Sequence, residues 1–480
     1  MHQTKFALAV LTAAVLAGCG SGSGSGDQTL KTKFSAQVTF GDSLADVGTY
    51  QVGGVKAMGG GKFTINGDNT AINPALTGKN WTELMAAQLG LPAPCPAETG
   101  LDGDASLGFS VPVVLHAGCY GYAMGGARVT NPVGPNNKLT GSSIGALTLP
   151  VVTQIQNHLT AVGGKFKGDE MVFVMAGGND ALFLLTKLKN DATAAGTAAG
   201  NAEGARVGGI TFAQELAGFL AAGATNPAAA GPVIGLAIQT EAARSGNTPT
   251  SIVTAAVIAA AGQGNATALL AAHGDPTAQA AIGVMAAKAQ TDAQAAGAAA
   301  GATAGASAGA AYATAHGPEL VAAMSTAGSE LVALVKTQIL AKGANYVTVN
   351  NLGDVASTPS GRQDPSSQPL IMAMVDAFNK QLNDGLGAEP KVLVVDVYAV
   401  SHDQAVNPGP YGLTNVTDPA CIVDDVTKNP LSSSLGCNAS NLKAGDISHY
   451  SFADTVHPTP FNYLLLARYV SEKLVVKGWL

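Results

Sequence analysis

Aromatic residues are scarce, at 5% of 480 positions, and charged residues reach only 12%, about half the globular norm. So few aromatic rings argue weakly against a surface built to stack on sugars. A basic excess is also missing. The net charge is −7, so nucleic acid is not an expected partner. Five cysteines occur and none forms a Cys-x-x-Cys pair, which speaks against zinc or a redox dithiol. His2, His116, His158, His273, His316 and His449 show no metal-ligand spacing and read as surface or core residues. No metal or other cofactor is expected. Alanine and glycine fill the gap left by charge. With 47% hydrophobic residues the chain can build a sizeable core, as one large domain or two ordinary ones.

The longest early apolar run, Phe6 to Ala17, is too short to span a bilayer but has the length of a signal-peptide core. It ends in Leu16-Ala17-Gly18-Cys19, which resembles a bacterial lipobox. Residues 1–18 are then a lipoprotein signal peptide and Cys19 carries lipid. An ordinary signal peptide with a chance cysteine is the alternative. Gly20, rather than aspartate, resembles the sorting signal for the outer membrane; otherwise the protein is periplasmic or secreted. Residues 19–33 read as the lipidated cysteine and a flexible Ser/Gly tether. Cys95, Cys119, Cys421 and Cys437 remain, an even number for an oxidising compartment. Sequence-local pairing gives Cys95–Cys119 and Cys421–Cys437, one of three possible connectivities. Free buried thiols are the alternative.

The folded body is expected over 34–480. Gln37 to Phe40, Met171 to Met175, Ala344 to Val349 and Lys391 to Val397 read as strands. Leu149 to Leu159, Pro318 to Lys342, Leu370 to Leu386 and Leu464 to Val476 read as helices. Buried strands alternating with helices predict an α/β fold with a mostly parallel sheet. Residues 50–150 read as loops and short elements. An Ala/Gly-rich insertion over about 190–317 predicts several short helices, because glycines interrupt the alanine runs. It is either a lid or a permissive surface insertion.

Acyl transfer needs a nucleophile, a base, an orienting acid and oxyanion donors. Ser43, in Phe40-Gly41-Asp42-Ser43-Leu44, follows a strand, and Leu44 to Val47 can start a helix. An N-cap is its bland explanation. In Asp454-Thr455-Val456-His457-Pro458 the aspartate can fold back on the imidazole; alone it is a surface loop. Gly177-Gly178-Asn179-Asp180 ends the best central strand and offers an amide, or an ordinary turn. Gly125-Gly126 offers unobstructed backbone N–H groups, a weak signal among 60 glycines. Two other serines fit Gly-x-Ser-x-Gly, Ser143 and Ser307, but neither has the strand before and helix after that a nucleophile elbow needs.

In this order the four segments resemble the SGNH/GDSL hydrolase family, whose blocks carry Ser, Gly, Asn and His and whose last block reads Asp-x-x-His. The resemblance covers the body apart from the insertion. It implies a three-layer α/β/α sandwich of flavodoxin-like type. It also implies a carboxylic ester hydrolase with catalytic Ser43, His457 and Asp454. The oxyanion hole is then the N–H of Ser43, the N–H of Gly126 and the side chain of Asn179. The family's second block often starts with asparagine where this chain has Gly121, which leaves Gly125 and Gly126 both open; spacing favours Gly126. With so few residues after His457, the autotransporter form with a C-terminal barrel is not expected. The expected partners are a lipid or short-chain ester substrate and, through Cys19, a membrane. The rivals are a carbohydrate O-acetyl esterase and a catalytically inactive, lipid-anchored binding module.

Overall fold

Four short apolar runs pair into one parallel sheet. In chain order they are β1 (Gln37–Gly41), then β4 (Met171–Met175), β5 (Tyr346–Asn350) and β6 (Val392–Val395). An antiparallel hairpin, the largely buried β2 (Glu98–Asp102) with the exposed β3 (Ser110–Leu115), intervenes between the first two. These elements come from a computed structural model that describes residues 32–67 and 78–480. The expected signal peptide, Cys19 and nearly all of the tether lie outside the described residues.

The sheet order is β1-β4-β5-β6, and each neighbouring pair is parallel. The fold is thus α/β with a parallel central sheet. Gly41, Met175, Asn350 and Val395 lie abreast in register, so all four strands end on one edge. On the open side of β1 runs the segment after Cys119. Thr39 N–H donates to the Tyr120 carbonyl (3.0 Å), and Met124 N–H donates to the Gly41 carbonyl (3.1 Å). The chain therefore leaves β1 towards one side and later returns to its other side as β4. Such a reversal opens a crevice at the carboxyl ends of the strands.

Alternate strand residues face opposite cores, as a period of two requires. Val38, Phe40, Val172, Val174, Val347 and Val349 pack with α2 (Val151–Ala161) and α8 (Gln368–Leu386). Met171, Phe173 and Met175 pack with α1 (Trp81–Gln88) and α10 (Pro460–Lys477). Because both faces are covered, β4 is apolar throughout.

Several strand and helix limits differ from their expected places: β5 starts at Tyr346 rather than Ala344, α8 at Gln368 rather than Leu370, and α10 at Pro460 rather than Leu464. The strand expected to reach Val397 stops at Val395, because Asp396 caps the helix α9 (Val397–Val406) by accepting the Ala399 N–H at 3.1 Å. The helix expected from Leu149 begins at Val151, since Pro150 is extended.

The insertion differs more. Instead of several short helices, two long ones form an antiparallel arm: α3 (Gly178–Ala222) and α7 (Pro276–Leu334). At 1.5 Å per residue they run roughly 70 and 90 Å. Pro318 lies inside α7 rather than opening a separate helix. Only the tip has short helices, α4 (Pro227–Ala243), α5 (Pro249–Gly262) and α6 (Ala266–Ala272), with a core of their own. The glycines do not break the arm because they recur every fourth residue and face one another. A β-carbon on Gly200 would stand 2.8 Å from the Gly301 carbonyl oxygen, and one on Gly297 would stand 2.6 Å from that of Gly204. Backbone contact along this stripe offsets their poor helix propensity.

Candidate active site

Gly41 ends β1 at φ +147°, where a β-carbon would stand 2.0 Å from the Met175 carbonyl oxygen. Gln154, on α2, clamps it: the side-chain oxygen accepts the Gly41 N–H (2.9 Å) and the side-chain nitrogen donates to the Gly41 carbonyl (2.8 Å). The next residues form a turn that carries Ser43, not the helix expected from Leu44. Asp46 is the reason. Its Oδ1 accepts the N–H groups of Gly48 and Thr49 (both 2.8 Å), which a helix would spend on carbonyls one turn back. Gly48 also sits at φ +125°.

Ser43 Oγ lies 2.9 Å from His457 Nε2, although 414 residues separate them. His457 Nδ1 lies 2.8 Å from Asp454 Oδ2. The local turn explains the second contact, because Asp454 Oδ1 accepts the N–H of Val456 (2.9 Å) and of His457 (2.8 Å). Ser434 N–H donates to Asp454 Oδ2 at 2.7 Å. Burial opposes ionisation of Asp454, but the imidazole and these hydrogen bonds outweigh it and hold the carboxyl well below the usual range. Phe63 flanks the imidazole, with ring centroids 4.9 Å apart. The three expected catalytic residues are thus brought into one hydrogen-bonded chain.

Asn179 is in the first turn of α3, just beyond β4. Its Nδ2 donates to the Ala127 carbonyl at 2.9 Å, and a primary amide retains a second N–H. Asp180 ties the same loop by accepting from Arg128 Nε (2.9 Å) and Val129 N–H (3.1 Å). Of the glycine pair, Gly125 gives its N–H to Asp46 Oδ2 (2.9 Å). Among the described residues no protein acceptor takes the Gly126 N–H.

The pairings Cys95–Cys119 and Cys421–Cys437 both form. The first braces the start of the loop to Gly126. The second braces the stretch that holds Ser434 against Asp454.

Ser43, Asn179 and His457 line a cavity of about 160 Å³, walled by Leu44, Leu182, Leu352, Val397, Val416 and Leu466. The base of the arm contributes Gly178, Asn179 and Leu182 to its wall, whereas no residue from 213 to 289 lines it. Ser307 lies within α7, away from any strand. Ser143 lies in a loop. Among the described residues no three His, Cys, Asp or Glu side chains converge as a metal site.

Sequence inspection misses Gln154, Phe63, Tyr50 and Ser434, since nothing in their neighbours marks them. Asp46 could have been noticed, because Asp-x-Gly-Thr is an Asx-turn pattern. His402, also unremarked in the sequence, lies 2.7 Å from Asp354, which lines the cavity. No protein-family model matches the chain, and no curated protein matches it.

Proposed function

We propose that the chain is an exported serine ester hydrolase of the SGNH/GDSL type, built on a three-layer α/β/α sandwich. The observation that carries this is the continuous hydrogen-bonded path from Ser43 Oγ through His457 to Asp454. His457 takes the proton of Ser43 as Oγ attacks the ester carbonyl. The tetrahedral oxyanion is met by the N–H groups of Ser43 and Gly126 and by the free N–H of Asn179. It collapses as His457 protonates the leaving alcohol, giving an acyl-enzyme. Water, deprotonated by the same imidazole, then releases the acid. Asp454 stays ionised throughout and holds the imidazolium.

The apolar cavity favours an acyl chain over a sugar. A dry cavity of about 150 Å³ holds a six-carbon ring, so about 160 Å³ beside Ser43 fits a chain of roughly four to eight carbons. The expected setting is a bacterial lipoprotein anchored at Cys19, at the outer membrane, where two paired disulfides are at home.

A fluorophosphonate should label wild type at Ser43 and leave Ser43→Ala unlabelled. Turnover of p-nitrophenyl esters should peak at about four to eight acyl carbons and fall by several orders of magnitude in Ser43→Ala or His457→Ala. Wild-type rates in Ser43→Ala would sink the mechanism. A peak at two carbons would point to a deacetylase. An unlabelled, inert wild type would point to a binding module.

A further inference from the structure

The turn Met124–Ala127 carries the donor Gly126. Ala127 N–H donates to the Met124 carbonyl at 3.1 Å. Gly126 at φ +81° marks the turn as type II. Type I and type II differ by turning over the central peptide, here Gly125–Gly126. The carbonyl of Gly125 and the N–H of Gly126 belong to that one plane and point in opposite directions. Whatever holds the carbonyl therefore aims the N–H.

Tyr50 holds it. Its Oη donates to the Gly125 carbonyl at 2.7 Å and accepts the Thr148 N–H at 3.4 Å. The side chain is fully buried, and that burial pushes the phenol further up its range, so it remains a neutral donor. Asp46 holds the Gly125 N–H from the other side. The two glycines admit nothing larger: a β-carbon on Gly125 would stand 2.2 Å from the Phe63 ring, and one on Gly126 would stand 2.5 Å from the Pro135 carbonyl oxygen.

We infer that Tyr50 is a positioning residue of the oxyanion hole: its hydroxyl locks the Gly125–Gly126 peptide so that the Gly126 N–H faces the oxyanion. This role rests on the serine-hydrolase reading above and adds a residue to it. A flipped peptide would offer the Gly125 carbonyl oxygen, an acceptor, where a donor is needed. A hydrogen bond donated to that carbonyl also polarises the peptide and strengthens its N–H.

Tyr50→Phe removes one oxygen and keeps the ring beside Phe63. Its kinetics on a p-nitrophenyl ester are compared with wild type, together with inhibition by an alkyl trifluoromethyl ketone, which forms a tetrahedral adduct on Ser43. The expected result is a kcat lower by roughly 10–100-fold with KM nearly unchanged and the pH profile retained. The ketone's Ki should rise by the same factor. An unchanged kcat in folded Tyr50→Phe overturns the inference, and so does a lower kcat with an unchanged Ki. If Tyr50→Phe does not fold, 3-fluorotyrosine at position 50 keeps the ring and makes a stronger donor. It should lower Ki a few-fold, and an unchanged Ki overturns the inference. A wild type that neither cleaves esters nor reacts with fluorophosphonate overturns the hydrolase reading itself; an active wild type matched by Tyr50→Phe overturns only the role of Tyr50.

Discussion

Asn179 has one amide N–H fixed on the Ala127 carbonyl and a second available, which the proposed mechanism directs at the oxyanion. Asn179→Ala should lower kcat by about 10²–10³-fold with little change in KM, as read from steady-state kinetics. Wild-type kcat would remove Asn179 from the oxyanion hole. His158 shows what burial does to a titrating group. It is enclosed by Phe40, Tyr120, Tyr122 and Phe166, neither ring nitrogen has a hydrogen-bond partner among the described residues, and burial pushes its pKa down from 6.5 to about 4. The unfolded chain therefore takes up this proton before the folded one does. Stability falls as pH drops through that window, by up to about 3 kcal/mol. Asp42, whose carboxyl burial pushes up to about 7, gives the opposite slope over the same range. The difference between wild type and His158→Phe isolates the histidine. Urea unfolding at pH 4.5 and 7 should show the wild type losing stability relative to the variant; parallel profiles would refute this.

The arm helices set propensity against packing. Replacing a helical glycine with alanine gains roughly 1 kcal/mol on propensity alone. Gly209 meets nothing within 4 Å where its β-carbon would be, so Gly209→Ala should stabilise the protein by about that much. Gly200 abuts the Gly301 backbone, so Gly200→Ala should force the helices apart and cost about 1–3 kcal/mol. Thermal unfolding of the two variants decides, and equal shifts would mean that the stripe is not a contact. The same stripe explains why composition misleads here. A single sequence shows glycines interrupting alanine, and only the facing helix shows that their spacing of four is a contact surface. The opposite holds for β4, whose five apolar residues read as a buried strand without any partner in view.

At the scale of the whole molecule, the sheet edge assembles the site. Ser43 follows β1, Gly126 follows the segment beside β1, and Asn179 follows β4, so the reversal of strand order brings these three segments to one edge of the sheet, where Ser43 and Asn179 line the cavity. His457 arrives from the far end of the chain, on a loop braced through Ser434. The Cys421–Cys437 bridge closes that region over a separation of 16 residues. Replacing both cysteines with serine should cost about 3 kcal/mol of stability. It should also slow ester turnover, because Ser434 would hold Asp454 less firmly. Denaturant unfolding and kinetics on the double variant test both, and unchanged turnover would separate the bridge from the site.

Local order and the candidate residues were legible in the sequence. Ser43, Asp454 and His457 could be singled out because their segments, weak one by one, follow the order of one family's blocks, and the fold brings the three into one hydrogen-bonded chain. Cys95–Cys119 and Cys421–Cys437 could be chosen because near cysteines meet most often. Those properties depend on neighbours along the chain. The groups that hold these residues in place depend on neighbours in space. Gln154 on Gly41, Tyr50 on Gly125 and Ser434 on Asp454 are ordinary residues until the fold puts a donor opposite an acceptor. The same is true of the turn that replaced the helix after Ser43, where Asp46 captures the backbone, and of the arm, where two glycine stripes meet.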